Sequence, residues 1–392
     1  MLSSDRVDPG VVVAGLLADL RAARRFDIGF PGATDLHYPQ LAEVLTSRLL
    51  NNIGDPWEAG HGRNHTKVFE QHVVDTVADH LRSPAARWGY VTTGSTEATI
   101  HAMDEGARAY PDAVVYTSSA AHYSVAKAAA LLRLPLVTVA AHRDGRLDPA
   151  DLRDQLSPRR HRPALVVATA GTTMSEAVDD VDAVRQVCQE LRVTRRRIHV
   201  DAALSGIPLA LLPERERPAF DFSAGATSMG ISGHKFLSTL MPCGVLVYAG
   251  TPDVRGGSRA YTGSADTTVV SSRSGHTPLL LWWVLTTLGT DGLRRRATAS
   301  RELAAYTHAR LQQLGWPSAR NPHAFTVTLR RPPPQVLAKW VLAVEGDVAH
   351  VVCMPGVERA QLDEFVADLA PHVSALGQGS RAAVQCSAST TT

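Results

Sequence analysis

"ATSMGISGHKFLSTLMPCGVLVYAG", residues 226–250, sets one lysine, Lys235, among small polar residues and ends in the strongly apolar run "CGVLVYA". Only four of the forty basic residues in the chain are lysine: Lys67, Lys127, Lys235 and Lys339. A chain that uses arginine wherever positive charge suffices keeps lysine where an amine is wanted, because an ammonium can lose its proton and condense with a carbonyl. Lys67, Lys127 and Lys339 read as surface residues, which leaves Lys235 as the candidate nucleophile.

Outward from this stretch, "CGVLVYA" is the last of six short β-rich runs between residues 88 and 250. The others are "WGYVTT", "AVVYTSS", "LPLVTVA", "ALVVATA" and "RIHVDAA". Helical patterns such as "STEATIHAMDEGARAY" and "VDAVRQVCQELR" separate some of them, and that alternation predicts a largely parallel sheet covered on both faces. Helices are expected near residues 11–25 and 38–50, as an N-terminal extension packed on the main domain. Past the sheet, "SGHTPLLLWWVLTTLG" and "RRRATASRELAAYTHARLQQLG" predict long helices, followed by strands "AFTVTLR" and "VAHVVCMPG" and a last helix near "RAQLDEFVADLAPHVSAL". The expected division is an N-terminal helical segment over 1–55, a large domain over 56–275, a small α/β domain over 276–378 and a flexible tail over 379–392.

In open parallel sheets ligands gather at the carboxyl ends of the strands, so the residues there carry the functional reading. "WGYVTT" runs into Gly94, Ser95 and Thr96, a turn opening a helix, which reads either as a phosphate cradle or as an ordinary helix cap. Asp201 ends the apolar run "RIHVDAA", where a carboxylate is costly unless something compensates it; a cationic ring nitrogen would do so, and a strand-end cap is the alternative. His122 follows "AVVYTSS" at a helix start, placed to stack on a ring or to cap the helix. A nucleotide-binding reading lacks its motifs, since neither G-x-G-x-x-G after the first strand nor G-x-x-x-x-G-K-[ST] occurs.

The order of phosphate turn, histidine, strand-end aspartate and lysine resembles pyridoxal-phosphate (PLP) enzymes of the aspartate-aminotransferase type, fold type I. "GYVTTGSTEA", "YTSSAAHYSVAKAA", "TAGTTMSEAVDDVD", "RIHVDAALSG", "SGHKF" with "MPCGV", "GSADTTVVSSRSGH" and "VEGDVAHVVCMPGV" make the resemblance specific. They are similar to the group II PLP decarboxylases, and within them to the bacterial histidine decarboxylase and plant serine decarboxylase branch, over roughly residues 28–370. The resemblance implies an α/β fold with a mostly parallel seven-stranded sheet, PLP as cofactor, and α-decarboxylation of an amino acid through an external aldimine and quinonoid. It makes Lys235 the Schiff-base lysine, Asp201 the pyridinium partner and His122 the ring-stacking histidine.

By the same resemblance Ser232 and His234 join Gly94, Ser95 and Thr96 at the phosphate. Thr172 and Thr173 lie near the ring's O3′, Ala203 packs on the ring opposite His122, and Ser264 and Thr267 reach the site of a partner subunit in a homodimer. Where the family has a substrate-proximal segment, this chain reads "GDPWEAGHGRNH", with Trp57, His61 and His65. Transamination, aldol cleavage and oxidative decarboxylation start from the same aldimine and stay open as outcomes, as does an inactive homologue acting as a binding protein.

Composition narrows the rest. The chain has 392 residues, 44% hydrophobic and 20% charged, with a formal charge of +2, which gives no field for nucleic acid or an anionic membrane. No apolar run is long enough to span a bilayer. Cys188, Cys243, Cys353 and Cys386 are scattered without C-x-x-C spacing, so no metal site or disulfide framework is expected, and a reducing cytoplasm is.

Overall fold

Four of the six apolar runs are strands buried on both faces, as a sheet sandwiched between helices requires, while the strand in "RIHVDAA" is buried from Ile198 to Asp201 and the edge run "LPLVTVA" only in part. The computed structural model describes residues 8–252, 257 and 259–374; the expected tail, with Cys386, lies outside them. In chain order, helices α1 (Pro9–Arg24) and α2 (Ala42–Ser47) precede strand β1 (Asn51–Ile53) and helix α3 (Lys67–His80). Next come β2 (Trp88–Thr92), α4 (Ser95–Ala109), β3 (Val114–Ser118), α5 (Ser124–Leu132), β4 (Leu136–Val139) and α6 (Pro149–Leu156). They are followed by β5 (Ala164–Thr169), α7 (Val181–Glu190), β6 (Arg196–Asp201), the short α8 (Gly206–Ala210), β7 (Ser228–Ser232), β8 (Gly244–Tyr248) and β9 (Ser272–Ser274). The C-terminal part holds α9 (His276–Leu314), β10 (Ser318–Ala319), β11 (Thr326–Arg330), α10 (Pro334–Leu337), β12 (Ala343–Glu345), β13 (Val348–Val352) and α11 (Arg359–Leu369).

Seven strands form the main sheet in the order β2-β8-β7-β6-β5-β3-β4. Only β8 runs against its neighbours, so the sheet is mixed and mostly parallel. The strand absent from the six expected runs is β7, whose "SMGIS" holds one β-branched residue and so lacks a strand's usual signature. It is the strand that delivers Lys235. Parallel register sets Thr169 of β5 beside Asp201 of β6, and Asp201 beside Gly230 of β7, so three neighbouring strands end together.

The smaller sheet is antiparallel, in the order β10-β11-β13-β12. Helix α9 runs through the two expected helices and is interrupted at Gly289. The N-terminal extension packs only in part: Tyr38 and Leu41 are buried, but α1 buries no residue, and Val13, Leu16 and Leu20 are each more than half exposed. An apolar face needs a cover, and among the described residues this chain supplies none for α1. After α1, residues 26–29 run beside the small sheet, where Val341 N–H donates to Phe26 O (2.9 Å) and Val352 N–H to Ile28 O (2.8 Å).

Lys67 is buried rather than on the surface, its ammonium donating to Glu58 O at 2.7 Å. Beside it, Glu70 accepts from Arg273, from Asn52 Nδ2 (2.8 Å) and from Val91 N–H (2.9 Å), tying β1, β9 and β2 together. Both charged partners are almost fully buried. Glu70→Ala strands the Arg273 guanidinium and is expected to destabilise the fold by about 3–5 kcal/mol, read as a lowered urea midpoint at unchanged slope.

Candidate active site

Lys235 leaves the carboxyl end of β7 in a turn fixed by packing. Gly233 N–H donates to Cys243 O (2.8 Å), Thr239 N–H to Gly233 O (3.2 Å) and Ser238 N–H to Lys235 O (3.0 Å). A Cβ on Gly233 would lie 2.5 Å from Cys243 Sγ, so glycine alone fits there. Phe236 is buried under the Arg296 guanidinium, 5.0 Å from its ring, and anchors the turn while Lys235 lines a cleft of about 630 Å³. The Lys235 amine has no hydrogen-bond partner among the described residues. Burial holds its pKa below the ordinary 10.5, with the charge of Asp201 opposing. An amine so placed is a readier nucleophile than a surface lysine.

Asp201, at the end of β6, lines the same cleft. Its Oδ1 accepts from Ser95 Oγ (3.2 Å) and Ala203 N–H (3.2 Å), and its Oδ2 has no hydrogen-bond partner among the described residues. The buried Thr169 hydroxyl, on the adjacent strand end, also lacks a partner. His122 accepts from Ser124 N–H at Nδ1 (3.3 Å). Burial lowers its pKa and the nearby Lys235 adds to this against the pull of Asp201, so the ring is neutral at neutral pH. His234 sets Nδ1 3.0 Å from Cys243 O and 3.2 Å from Cys243 N, and burial lowers its pKa also.

The turn at the start of α4 fits an anion. Gly94 is its N-cap residue without a side-chain cap, and a Cβ there would meet no atom within 4 Å, so open space faces the helix N-terminus. Glu97 closes the turn by accepting from Thr93 N–H and Oγ1 (both 2.7 Å) and from Tyr90 OH (2.9 Å).

Of the residues expected from the sequence, the fold brings Gly94, Ser95, Thr96, His122, Thr173, Asp201, Ala203, Ser232, His234 and Lys235 to this one cleft. The Ser95 hydroxyl is turned to Asp201. Thr172 lies outside the lining, its hydroxyl accepting from Ala177 N–H at 2.9 Å to shape the loop behind Thr173. Ser264 and Thr267 are also elsewhere, Ser264 accepting from Asp55 N–H (2.9 Å) and Thr267 donating to Asp55 Oδ2 (2.7 Å). Trp57, His61 and His65 do not line the cleft either; the Trp57 indole donates to Gly89 O at 3.1 Å.

Other lining residues were not among the expected site residues: Gly29, Phe30 and Pro31 from the N-terminal segment, and Thr169, Tyr123 and the β13 residue His350, which lie within the quoted motifs. Thr169 was legible as the end of "ALVVATA", one strand from Asp201. Gly29 could not be read, because its need is tertiary: a Cβ there would lie 2.3 Å from Leu342 Cα.

A family model described as the pyridoxal-dependent decarboxylase conserved domain matches residues 10–316. The chain belongs to this family. It is 39% identical to a histidine decarboxylase of Mesorhizobium japonicum over 90% of this chain and 95% of that one. It is 33% identical to serine decarboxylase 2 of Oryza sativa, over 92% and 77%. Among solved structures it resembles L-methionine decarboxylase from Streptomyces sp. 590 bound to L-methionine methyl ester, with a TM-score of 0.83, 26% identity, and coverage of 95% and 96%. The enzyme is therefore a PLP-dependent amino acid decarboxylase of fold type I. The cleft fits that cofactor, having an amine without a partner, a carboxylate oxygen and a hydroxyl left unsatisfied beside it, and an open helix N-terminus.

Proposed function

We propose that the substrate is histidine, serine or a related non-standard amino acid lacking a side-chain carboxylate or strongly basic group, and that the products are its amine and carbon dioxide. One observation carries this reading: among the described residues the cleft lining holds no lysine or arginine apart from Lys235, and its two carboxylates, Asp201 and Glu97, each accept hydrogen bonds within the protein. Among the described residues an acidic side chain finds no cation there besides Lys235, and a strongly basic one finds only the open oxygen of Asp201, which in this reading faces the cofactor. Phe30, Pro31, Leu204, Ala343 and Val352 supply the apolar surface.

In this reading Lys235 would hold the cofactor through its amine. Asp201 would keep a proton on the cofactor's ring nitrogen. Gly94, Ser95 and Thr96 would offer backbone N–H groups to its phosphate together with Ser232 and His234, and His122, Ala203, Thr169 and Thr173 would hold the rest of it in the cleft. When bound, PLP supplies a conjugated ring that takes up the electron pair left as the Cα–carboxylate bond breaks. The apolar walls exclude water from that bond, which favours loss of charge from the carboxylate.

A homodimer is part of the proposal. The bare apolar face of α1 supports a second copy. Three buried, unpaired cysteines suit a reducing cytoplasm. The test is a screen of the common amino acids with the PLP-loaded enzyme, measuring carbon dioxide, amine and keto acid separately, with sedimentation velocity on the same sample. Amine and carbon dioxide in equal amounts from histidine or serine are expected. Keto acid without carbon dioxide, or preference for glutamate or lysine, would overturn the reading.

A further inference from the structure

We propose that Glu176, which does not touch the cleft, is the positioning residue that sets the C-terminal sheet over the substrate half of the site. The loop over residues 170–177 follows β5 and contributes Gly171 and Thr173 to the cleft. Near its end Glu176 adopts φ +53°, in the left-handed region that L side chains disfavour. Its carboxylate is fully buried, and no ion pair to it forms among the described residues. Burial pushes its pKa up to about 7 against the hydrogen bonds it accepts. Backbone strain and a desolvated carboxylate at one residue persist only where the surrounding contacts over-determine them.

Those contacts come from two sides. Oε1 accepts from Ser205 Oγ (2.9 Å), on the turn that leaves Asp201 and Ala203. Oε2 accepts from the N–H groups of Phe325 (3.0 Å) and Thr326 (2.8 Å), at the start of β11. Strand β11 is paired with β13, Thr326 opposite Val352 and Thr328 opposite His350, and both His350 and Val352 line the cleft. One carboxylate therefore joins the Asp201 turn, the loop behind Thr173 and β11, the neighbour of the strand that carries the facing wall. Two further contacts pin the same loop to the same unit: His350 Nδ1 lies 3.1 Å from Met174 O, and Asn321 Nδ2 donates to Ser175 O at 3.0 Å.

This inference rests on the reading of the cleft as the amino acid site, and the experiment separates the two. In the PLP-loaded enzyme, Glu176→Gly relieves the backbone strain but removes the latch. It is expected to keep the cofactor absorbance and the borohydride-trapped Lys235 while KM for the amino acid rises about tenfold or more and kcat changes much less. Glu176→Gln keeps one carbonyl oxygen for the β11 N–H groups and an amide for Ser205 Oγ, and is expected to restore most of the affinity. Ser205→Ala, which leaves the strained residue in place, is expected to raise KM about threefold and serves if Glu176→Gly does not fold. Unchanged KM in a folded Glu176→Gly, or in Ser205→Ala should Glu176→Gly not fold, overturns the inference. So does a Glu176→Gly protein whose only defect is weaker PLP retention. A wild-type enzyme that turns over no amino acid of the proposed class would instead sink the reading of the site.

Discussion

Lys235→Ala is expected to lose amine formation by roughly four to six orders of magnitude, the scale seen when a covalent nucleophile is removed. The loss is chemical rather than structural. The turn around Lys235 is held by backbone hydrogen bonds, by the close packing of Gly233 on Cys243 and by Phe236 under Arg296, none of which uses the lysine side chain. The variant should keep the wild-type urea midpoint while losing the absorbance of the lysine-linked cofactor and any borohydride-stable label on the chain. Lys235→Arg should fail equally, because a guanidinium restores the charge but has no free amine to condense. Since burial lowers the Lys235 pKa, the neutral amine appears as pH rises through a value below 10.5, so wild-type loading should be half-complete at a lower pH than the reaction of PLP with a free lysine side chain. Wild-type turnover in Lys235→Ala, or a trapped label on Lys67, Lys127 or Lys339, would move the chemistry to another residue.

Local pattern carried most of the sheet and the chemistry of its edge, because a strand buried on both faces must be apolar throughout and a polar residue at its end stands out. Asp201 after "RIHV" and Lys235 in a lysine-poor chain were visible for that reason. Strand β7 was not, since between β6 and β8 its backbone register does what its side chains do not signal. Thr172 and Thr169 show the same boundary: the resemblance implies Thr172 on the loop, whereas the hydroxyl left without a partner is that of Thr169, whose strand runs beside Asp201. Lys67 read as a surface residue because its acceptor, a backbone carbonyl of a loop, has no sequence signature. The wall of the cleft formed by Gly29, Phe30 and His350 depends on residues more than three hundred positions apart meeting, as when His350 Nε2 approaches Gly29 O at 2.9 Å.

Asp201→Asn tests the other half of the chemistry, and kcat is expected to fall by about 10²–10⁴-fold with little change in KM. The substitution keeps the shape and leaves an amide oxygen able to accept from Ala203 N–H and Ser95 Oγ, so the strand end and the start of α4 should stay in place. It removes the negative charge at Asp201 Oδ2, which has no hydrogen-bond partner among the described residues, in a residue only 4% exposed, where water cannot replace it. An amide in that position presents a dipole where a full charge stood, so a ring nitrogen facing it holds its proton less tightly and withdraws electrons less strongly. Because Lys235 is untouched, the lysine-linked absorbance should persist, which separates a slowed chemical step from failure to bind the cofactor. Asp201→Ala should be worse than Asp201→Asn, since it also frees Ser95 Oγ and Ala203 N–H. A kcat unchanged in Asp201→Asn would mean that the charge at the end of β6 is not what stabilises the developing carbanion, and the partnerless Thr169 hydroxyl on the neighbouring strand would then be the group to replace next.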